Sequence, residues 1–473
     1  MIHPHIFRAY DIRGIAHKPQ PGNDPDLTPE SILEIAKATG TYLKRHYGSK
    51  IALGYDCRLS TPELSAAFLQ GLQEVGAEVT VLGLVSTPML YFAVAHLNFD
   101  GGVMITASHN PKEYNGVKIV GQKAHSVCGD ELQVILKMIQ TQDYDLSPNP
   151  IPLKNLDLFP IYKEKLVSLI HLERPLKVVL DAANGATASF VRPLFEALGC
   201  TVTTLFDTPD GNFPNHEANP EELSNMQDLI RAVKETGADL GLGFDGDGDR
   251  VGLIDEKGKH YSADLLLLQL ARDLLKRNPG AKIVFDAKTS QVVIDDIASH
   301  GGVPLMAKTG HSFIEQKLHE EGALLGGEIS GHLFFAENYY GFDDAFLGGA
   351  RLLELLSKTN APFSELYKDV PVTACTPEFK SPCPDDKKFA IVEQITKNLV
   401  QKYDCITLDG VRVNFDALSW GAVRCSNTSP NLTLRFEAPN ETRLKEIVNV
   451  MLEELEKYPE INLWWSAPYK NKP

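Results

Sequence analysis

Asp245, Asp247 and Asp249 alternate with Gly246 and Gly248 and are followed by Arg250. The glycines let the backbone curl, so three carboxylates can converge on one hard cation, and oxygen-only donors point to Mg²⁺. An acidic surface turn is the plain alternative, but carboxylates at this spacing repel one another unless positive charge sits among them. A calcium EF-hand would place a Glu at the twelfth loop position, where Glu256 falls. Arg250 replaces that loop's turn glycine and the flanks read as strands rather than helices, which rejects it. An aspartate-nucleophile phosphatase, with a strand followed by DxDG, is literally satisfied by Asp245 to Gly248 and stands as the main rival.

Ser108 lies in Thr106-Ala107-Ser108-His109-Asn110-Pro111, at the end of the apolar strand GGVMI. No GxSxG elbow surrounds it, and a histidine adjacent in sequence does not make a catalytic pair, so hydrolase-type acyl chemistry is poorly supported. Alone, the serine reads as a turn residue. Beside a metal loop, a serine oxygen carrying a phosphoryl group could add a ligand to Mg²⁺, and the cation would stabilise charge as that group moves. Lys118, in NGVKIV, reads equally as an edge residue snorkelling to water or as a site residue. In the second case nearby positive charge lowers its pKa and lets it exchange a proton with a sugar hydroxyl.

These residues must be positioned by repeated units. Segments starting at Lys50, Leu176 and Ala281 each run strand, helix, glycine stop and second strand, with Asp56, Asp181 and Asp286 at the matching strand ends. Each reads as β-α-β, the mark of α/β domains with partly parallel sheets. Downstream of each comes an apolar strand ending in a polar glycine-containing loop: GGVMITASHNP, ADLGLGFDGDGDR and ALLGGEISGH. Ligands gather at the carboxyl ends of such strands, so the three loops suggest one site at the junction of three similar domains. The last stretch runs helix, several strands, helix, a compact α+β module. Boundaries fall at 1–153, 154–257, 258–370 and 371–473.

The chain has 473 residues, beyond the roughly 250–300 at which a single core stops growing. With 43% hydrophobic and 23% charged residues it is neither disordered nor fibrous. A formal charge of -16 repels nucleic acid and anionic membrane over most of the surface, leaving room for a local cationic pocket. Seven scattered cysteines without a CxxC pair fit a reducing cytoplasm, and no export signal is visible. Val79 to Phe99 is uncharged, yet Gly83 and Ser86-Thr87-Pro88 break it into strand, turn and buried helix rather than a membrane span. A monomer is expected.

FRAYDIRG, TASHNP, DGDGDR, GEISGH and RCSNTSP occur in this order along the whole chain. Together they resemble the bacterial phosphomannomutase/phosphoglucomutases of the α-D-phosphohexomutase superfamily. The resemblance implies three α/β domains with mixed sheets and a TATA-box-binding-protein-like C-terminal domain around a central cleft. It implies that Ser108 is phosphorylated and that Asp245, Asp247 and Asp249 hold Mg²⁺ together with that phosphate, bordered by Arg250. Glu328 and Ser330 would bind the sugar hydroxyls at C3 and C4, leaving C2 lightly read, so both mannose and glucose phosphates are accepted. Arg424, Ser426, Asn427 and Thr428 would clamp a phosphate. Tyr10, Arg13, His109, Lys288 and His311 match other cleft positions; Lys118 matches a proposed acid/base, with His332 a second candidate. GEISGH and RCSNTSP favour the mannose/glucose branch over phosphoglucosamine mutases.

The reaction implied is reversible phosphoryl migration between C1 and C6 through a hexose 1,6-bisphosphate, which also acts as activator, with the C-terminal module rocking to open and close the cleft. An aspartyl-phosphate hydrolase using Asp245 and a non-catalytic sugar-phosphate binding protein are the competing classes.

Overall fold

The computed structural model describes residues 2–16, 25–149, 151–427 and 429–469. The first sheet runs in the order Ile12–Ile15, Tyr114–Gly121, Gly101–Ile105, Lys50–Tyr55, Glu78–Leu84, Lys154–Asn155. Its last four strands are parallel and its first two antiparallel, so the sheet is mixed. The second and third sheets follow the same plan. Lys177–Asp181 lies between parallel partners Thr201–Leu205 and Leu240–Phe244, and Lys282–Asp286 between Val303–Ala307 and Leu325–Gly327. In each case the third parallel strand is followed by an antiparallel one, Val251–Asp255 or Leu333–Phe335.

The three polar loops are therefore the same structural object: the hairpin linking the third parallel strand to its antiparallel neighbour. The strands feeding them, GGVMI and LGLGF, are buried along their whole length, as strands covered on both faces are. Helix Thr87–His96 is almost wholly buried, confirming that Val79 to Phe99 is strand, turn and helix. Its first N–H donates to the Asp247 carbonyl at 2.8 Å, so the helix start in domain I buttresses the loop of domain II.

One apolar core runs through the first three domains, from Ala52 to Val370, and domain I packs a second of its own that includes Ile51, Leu53 and Phe68. The C-terminal domain has its own, built where helices Asp385–Leu399 and Glu441–Leu455 pack on an antiparallel sheet with Asn431–Ala438 and Trp420–Cys425 at its centre. Its seam with domain III is polar. Arg435 reaches Asp264 at 3.1 Å, Arg412 reaches the carbonyls of Ala287 and Thr289 at 3.0 and 2.7 Å, and Glu437 accepts the Ser290 hydroxyl at 2.7 Å. All seven cysteines are unpaired, and among the described residues no helix is long and apolar enough to cross a membrane.

Candidate active site

The metal loop is curled by one of its own aspartates. Asp245 Oδ1 accepts the backbone N–H groups of Gly248, Asp249 and Arg250 at 2.9, 3.1 and 3.2 Å, with Gly248 at φ +80°. Its Oδ2 accepts the Ser108 hydroxyl at 2.7 Å, so the serine of domain I touches the loop of domain II directly. Asp247 Oδ2 accepts from the Thr87 hydroxyl at 2.6 Å and the Lys118 ammonium at 3.0 Å; Asp249 Oδ2 also accepts from Lys118. One oxygen from each aspartate lies within 4.8 Å of the others, all buried. Oδ1 of Asp247 and Oδ1 of Asp249 have no hydrogen-bond partner. Burying such oxygens undonated is costly, and three hard oxygen ligands converging there fit a divalent cation of the Mg²⁺ class. Glu256, the EF-hand's twelfth position, instead accepts the Ser364 hydroxyl at 2.5 Å.

Lys118 is 3% exposed and faces the site, which decides between its two sequence readings. Burial favours its neutral form, but Asp247 and Asp249 outweigh burial and hold its pKa well above the usual lysine range. The lowering expected from positive neighbours is reversed here, because the ammonium is itself the charge sitting among the carboxylates. Burial, then Asp249 and Asp247, push Asp245 well above the carboxylate range; burial would do the same to Asp249, but Lys118 and His332 hold it well below.

Ser108 takes φ +51°, a left-handed conformation rare for a residue with a Cβ. Its Oγ is 3.1 Å from His109 Nδ1, so these sequence neighbours do meet. Burial, then Arg250 and Arg13, hold the His109 pKa well below normal, leaving a neutral ring whose Nδ1–H can donate to Oγ while Oγ–H donates to Asp245.

The domain III loop folds back on itself. Glu328 accepts from the Gly310 N–H, from His332 Nδ1 at 2.9 Å and from the Ser330 hydroxyl at 3.3 Å. Against burial, His332 and the Gly310 N–H bring the Glu328 pKa down to about 2. His332 Nε2 lies 3.5 Å from Asp249 and 3.7 Å from Asp343; burial opposes its charge, but Asp249 and Glu328 win and raise its pKa to about 10. The Arg250 Nε contact at 3.3 Å would need a neutral Nε2, and the carboxylates on the other sides decide for the imidazolium. His311, kept neutral by burial and Lys118, packs edge-on to Tyr10 at 5.1 Å, and burial raises the Tyr10 phenol to about 12.

The C-terminal loop supplies the fourth wall. Arg424 donates from Nε to Asp409 at 2.6 Å and from one terminal nitrogen to Thr433 at 3.2 Å; its other terminal nitrogen is buried and has no partner. A guanidinium anchored on one side with a donor left over is suited to grip a phosphate oxygen. Asn427 approaches the Thr309 carbonyl at 3.4 Å, and Ser426 pairs with the Ser429 hydroxyl at 2.9 Å. Lys288 is paired to Glu378, and Arg13 to Asp11 and to Asn110 at 2.8 Å.

All four loops open on one cavity of about 630 Å³, lined among others by Ser108, Lys118, Arg250, Glu328, His332 and Arg424. Tyr10, Arg13, His109, Lys288, His311, Ser330, Ser426 and Asn427 line it too. Asp249 reaches it, whereas Asp245 and Asp247 sit behind the wall. Thr428 lies outside the described residues. Sequence reasoning missed Asp343, which backs His332; Asp409, which orients Arg424; and Arg58, which lies beneath the serine loop.

Compared with known families, the chain matches all four phosphoglucomutase/phosphomannomutase domains: alpha/beta/alpha domain I over residues 4–145, domain II over 161–258, domain III over 262–373 and the C-terminal domain over 378–454. The chain belongs to the phosphoglucomutase/phosphomannomutase family. It is a phosphohexomutase, an isomerase of carbohydrate metabolism. It is 44% identical to a phosphomannomutase/phosphoglucomutase of Pseudomonas syringae pv. tomato, over 97% of each chain. To a phosphoglucomutase of Neisseria gonorrhoeae it is 39% identical, over 97% of this chain and 98% of the relative. A crystal structure of a phosphoglucomutase/phosphomannomutase family protein from Burkholderia thailandensis superposes with a TM-score of 0.88 at 37% identity, covering 98% of this chain and 99% of that one.

Proposed function

We propose that this phosphohexomutase interconverts the 1- and 6-phosphates of mannose and glucose, with Ser108 as the carrier of the migrating phosphoryl group. The observation that carries this is the Ser108 hydroxyl 2.7 Å from Asp245, on the wall of a cavity that Arg424 also lines. In the forward step the sugar hydroxyl oxygen bonds to phosphorus as the bond from phosphorus to Ser108 Oγ breaks. The hydroxyl proton passes to the neutral form of Lys118 or His332, the minor species because Asp247, Asp249 and Glu328 favour the charged forms, and Arg250 balances the charge building on the phosphoryl oxygens. The resulting hexose 1,6-bisphosphate turns over and returns its other phosphate to Ser108, and added bisphosphate primes unphosphorylated enzyme. Asp245, Asp247 and Asp249 would hold Mg²⁺, which when bound supplies the positive charge that relieves the carboxylates and steadies the transferring phosphoryl group.

Glu328 and Ser330 read adjacent ring hydroxyls, a carboxylate accepting from both. Arg424, Ser426, Asn427 and Thr428 hold the phosphate that is not reacting, while Lys288, Arg13, His109, His311 and Tyr10 shape the walls. The aspartyl-phosphatase reading places the nucleophile at Asp245, whose two oxygens are engaged by three N–H groups and a hydroxyl behind the cavity wall. The units acting together are 1–153, 154–257, 258–370 and 371–473, working as a monomer in the cytoplasm, where unpaired thiols persist.

The test is turnover of mannose 1-phosphate and glucose 1-phosphate with Mg²⁺ and a trace of glucose 1,6-bisphosphate. The reading requires both to yield 6-phosphates without release of inorganic phosphate; stoichiometric phosphate release would replace it with the hydrolase.

A further inference from the structure

The serine loop is held from behind by a side chain outside every motif named above. Arg58 is 1% exposed. One terminal nitrogen donates to the carbonyls of Pro111 and Tyr114 at 2.7 and 3.0 Å, the other to those of Ser108 and Asn110 at 2.8 and 2.6 Å. Its Nε lies 3.2 Å from Asp56, which also accepts the Arg58 N–H at 3.0 Å and the Thr106 hydroxyl at 2.8 Å. Thr106 Oγ in turn accepts the Ser108 N–H at 3.0 Å. The strand-end Asp56 and its neighbour Arg58 thus grip the loop by the donor of Ser108 and by four of its carbonyls. A planar guanidinium is the side chain whose fork can serve four converging acceptors.

Two features make this grip consequential. Ser108 is in the left-handed region, which an untethered serine would leave. Its carbonyl also sits flush against the metal loop, where a Cβ added to Gly246 would lie 2.5 Å from it. We propose that Arg58 is a positioning residue for phosphoryl transfer, holding residues 108–114 in the one conformation that aims Ser108 Oγ at the metal loop and the cavity. The inference rests on Ser108 being the phosphoryl carrier.

R58K keeps the charge but loses the fork, and R58A leaves a guanidinium-shaped hole. For R58K the expected result is kcat lower by roughly 100-fold, the loss that an ångström of misplacement causes, with KM for glucose 1-phosphate changed less than about threefold and melting temperature close to wild type. R58A should regain about tenfold in kcat with millimolar guanidinium and nothing with methylammonium, a distinction that a merely structural arginine would not produce. If R58A does not fold, the kcat-against-KM split of R58K decides alone. Wild-type kcat in R58K, or equal rescue by both cations, overturns the inference. Phosphopeptide mapping of wild-type enzyme separates the two layers: no phosphate on Ser108 removes the carrier reading, whereas phosphate on Ser108 with a fully active R58K removes only the role of Arg58.

Discussion

At the scale of single residues, function rests on which side chains meet. Replacing Ser108 by Ala removes the acceptor and should lower mutase turnover by at least about 10³-fold with little change in melting temperature, read by a coupled assay of glucose 1-phosphate conversion. An Asp245-based hydrolase would be nearly indifferent to that change. R424A should raise KM for hexose phosphates by roughly tenfold to a hundredfold, since a charge-assisted phosphate contact carries about 1.5–3 kcal/mol, while kcat falls less. The sequence made the aspartates legible because alternating glycines and carboxylates have few other uses. It left Lys118 undecided, because one strand residue faces either side depending on sheet register. Asp343 and Asp409 were invisible, since neither stands in a motif and their meaning is contact with His332 and Arg424, which they meet only once the chain has turned back on itself.

Three hairpins bring these residues together. Their antiparallel pairing is written in the loop lengths. Parallel strands need a crossover of a dozen or more residues, whereas only short loops separate Ile105 from Tyr114, Phe244 from Val251 and Gly327 from Leu333, so each pair had to be antiparallel. The uniform burial of GGVMI and LGLGF concealed their strand period, and flanking turn residues located them instead. Because the serine and metal hairpins touch through bare backbone, G246A should force them apart: the expected outcome is a folded protein with kcat reduced by roughly 100-fold, checked by steady-state kinetics beside circular dichroism. Substitution at Gly199, whose added Cβ meets nothing within 4 Å, serves as the strained but distant comparison.

At the scale of the whole molecule, three domains are joined by a shared apolar core, to which domain I adds a second of its own, while the core of the fourth is separate and docks through a polar seam. That division is what a C-terminal module able to rock would require, since buried polar contacts exchange with water more readily than a common core. A second seam, between domains I and III, joins the Ser126 hydroxyl to Glu315 at 2.6 Å. Burial raises the Glu315 pKa to about 7, with Ser126 and His125 only partly opposing it. An unfolded glutamate ionises near pH 4.3, so the unfolded state loses its proton first as pH rises. Stability from this group therefore falls between about pH 4.5 and 7 and stays lower above. E315Q should accordingly gain at least about 1 kcal/mol relative to wild type on going from pH 5 to pH 8, measured by denaturant melts at both. The order of four domains and their junction were legible from repeats and motifs; the seams were not, because they depend on surfaces that form only after each domain has folded. The most direct measurement is peptide mass spectrometry of the whole chain incubated with Mg²⁺ and glucose 1,6-bisphosphate. A single phosphate on the Ser108 peptide, leaving as bisphosphate when excess glucose 1-phosphate is added, is the predicted result; phosphate on Asp245, or steady turnover with Ser108 never modified, would contradict it.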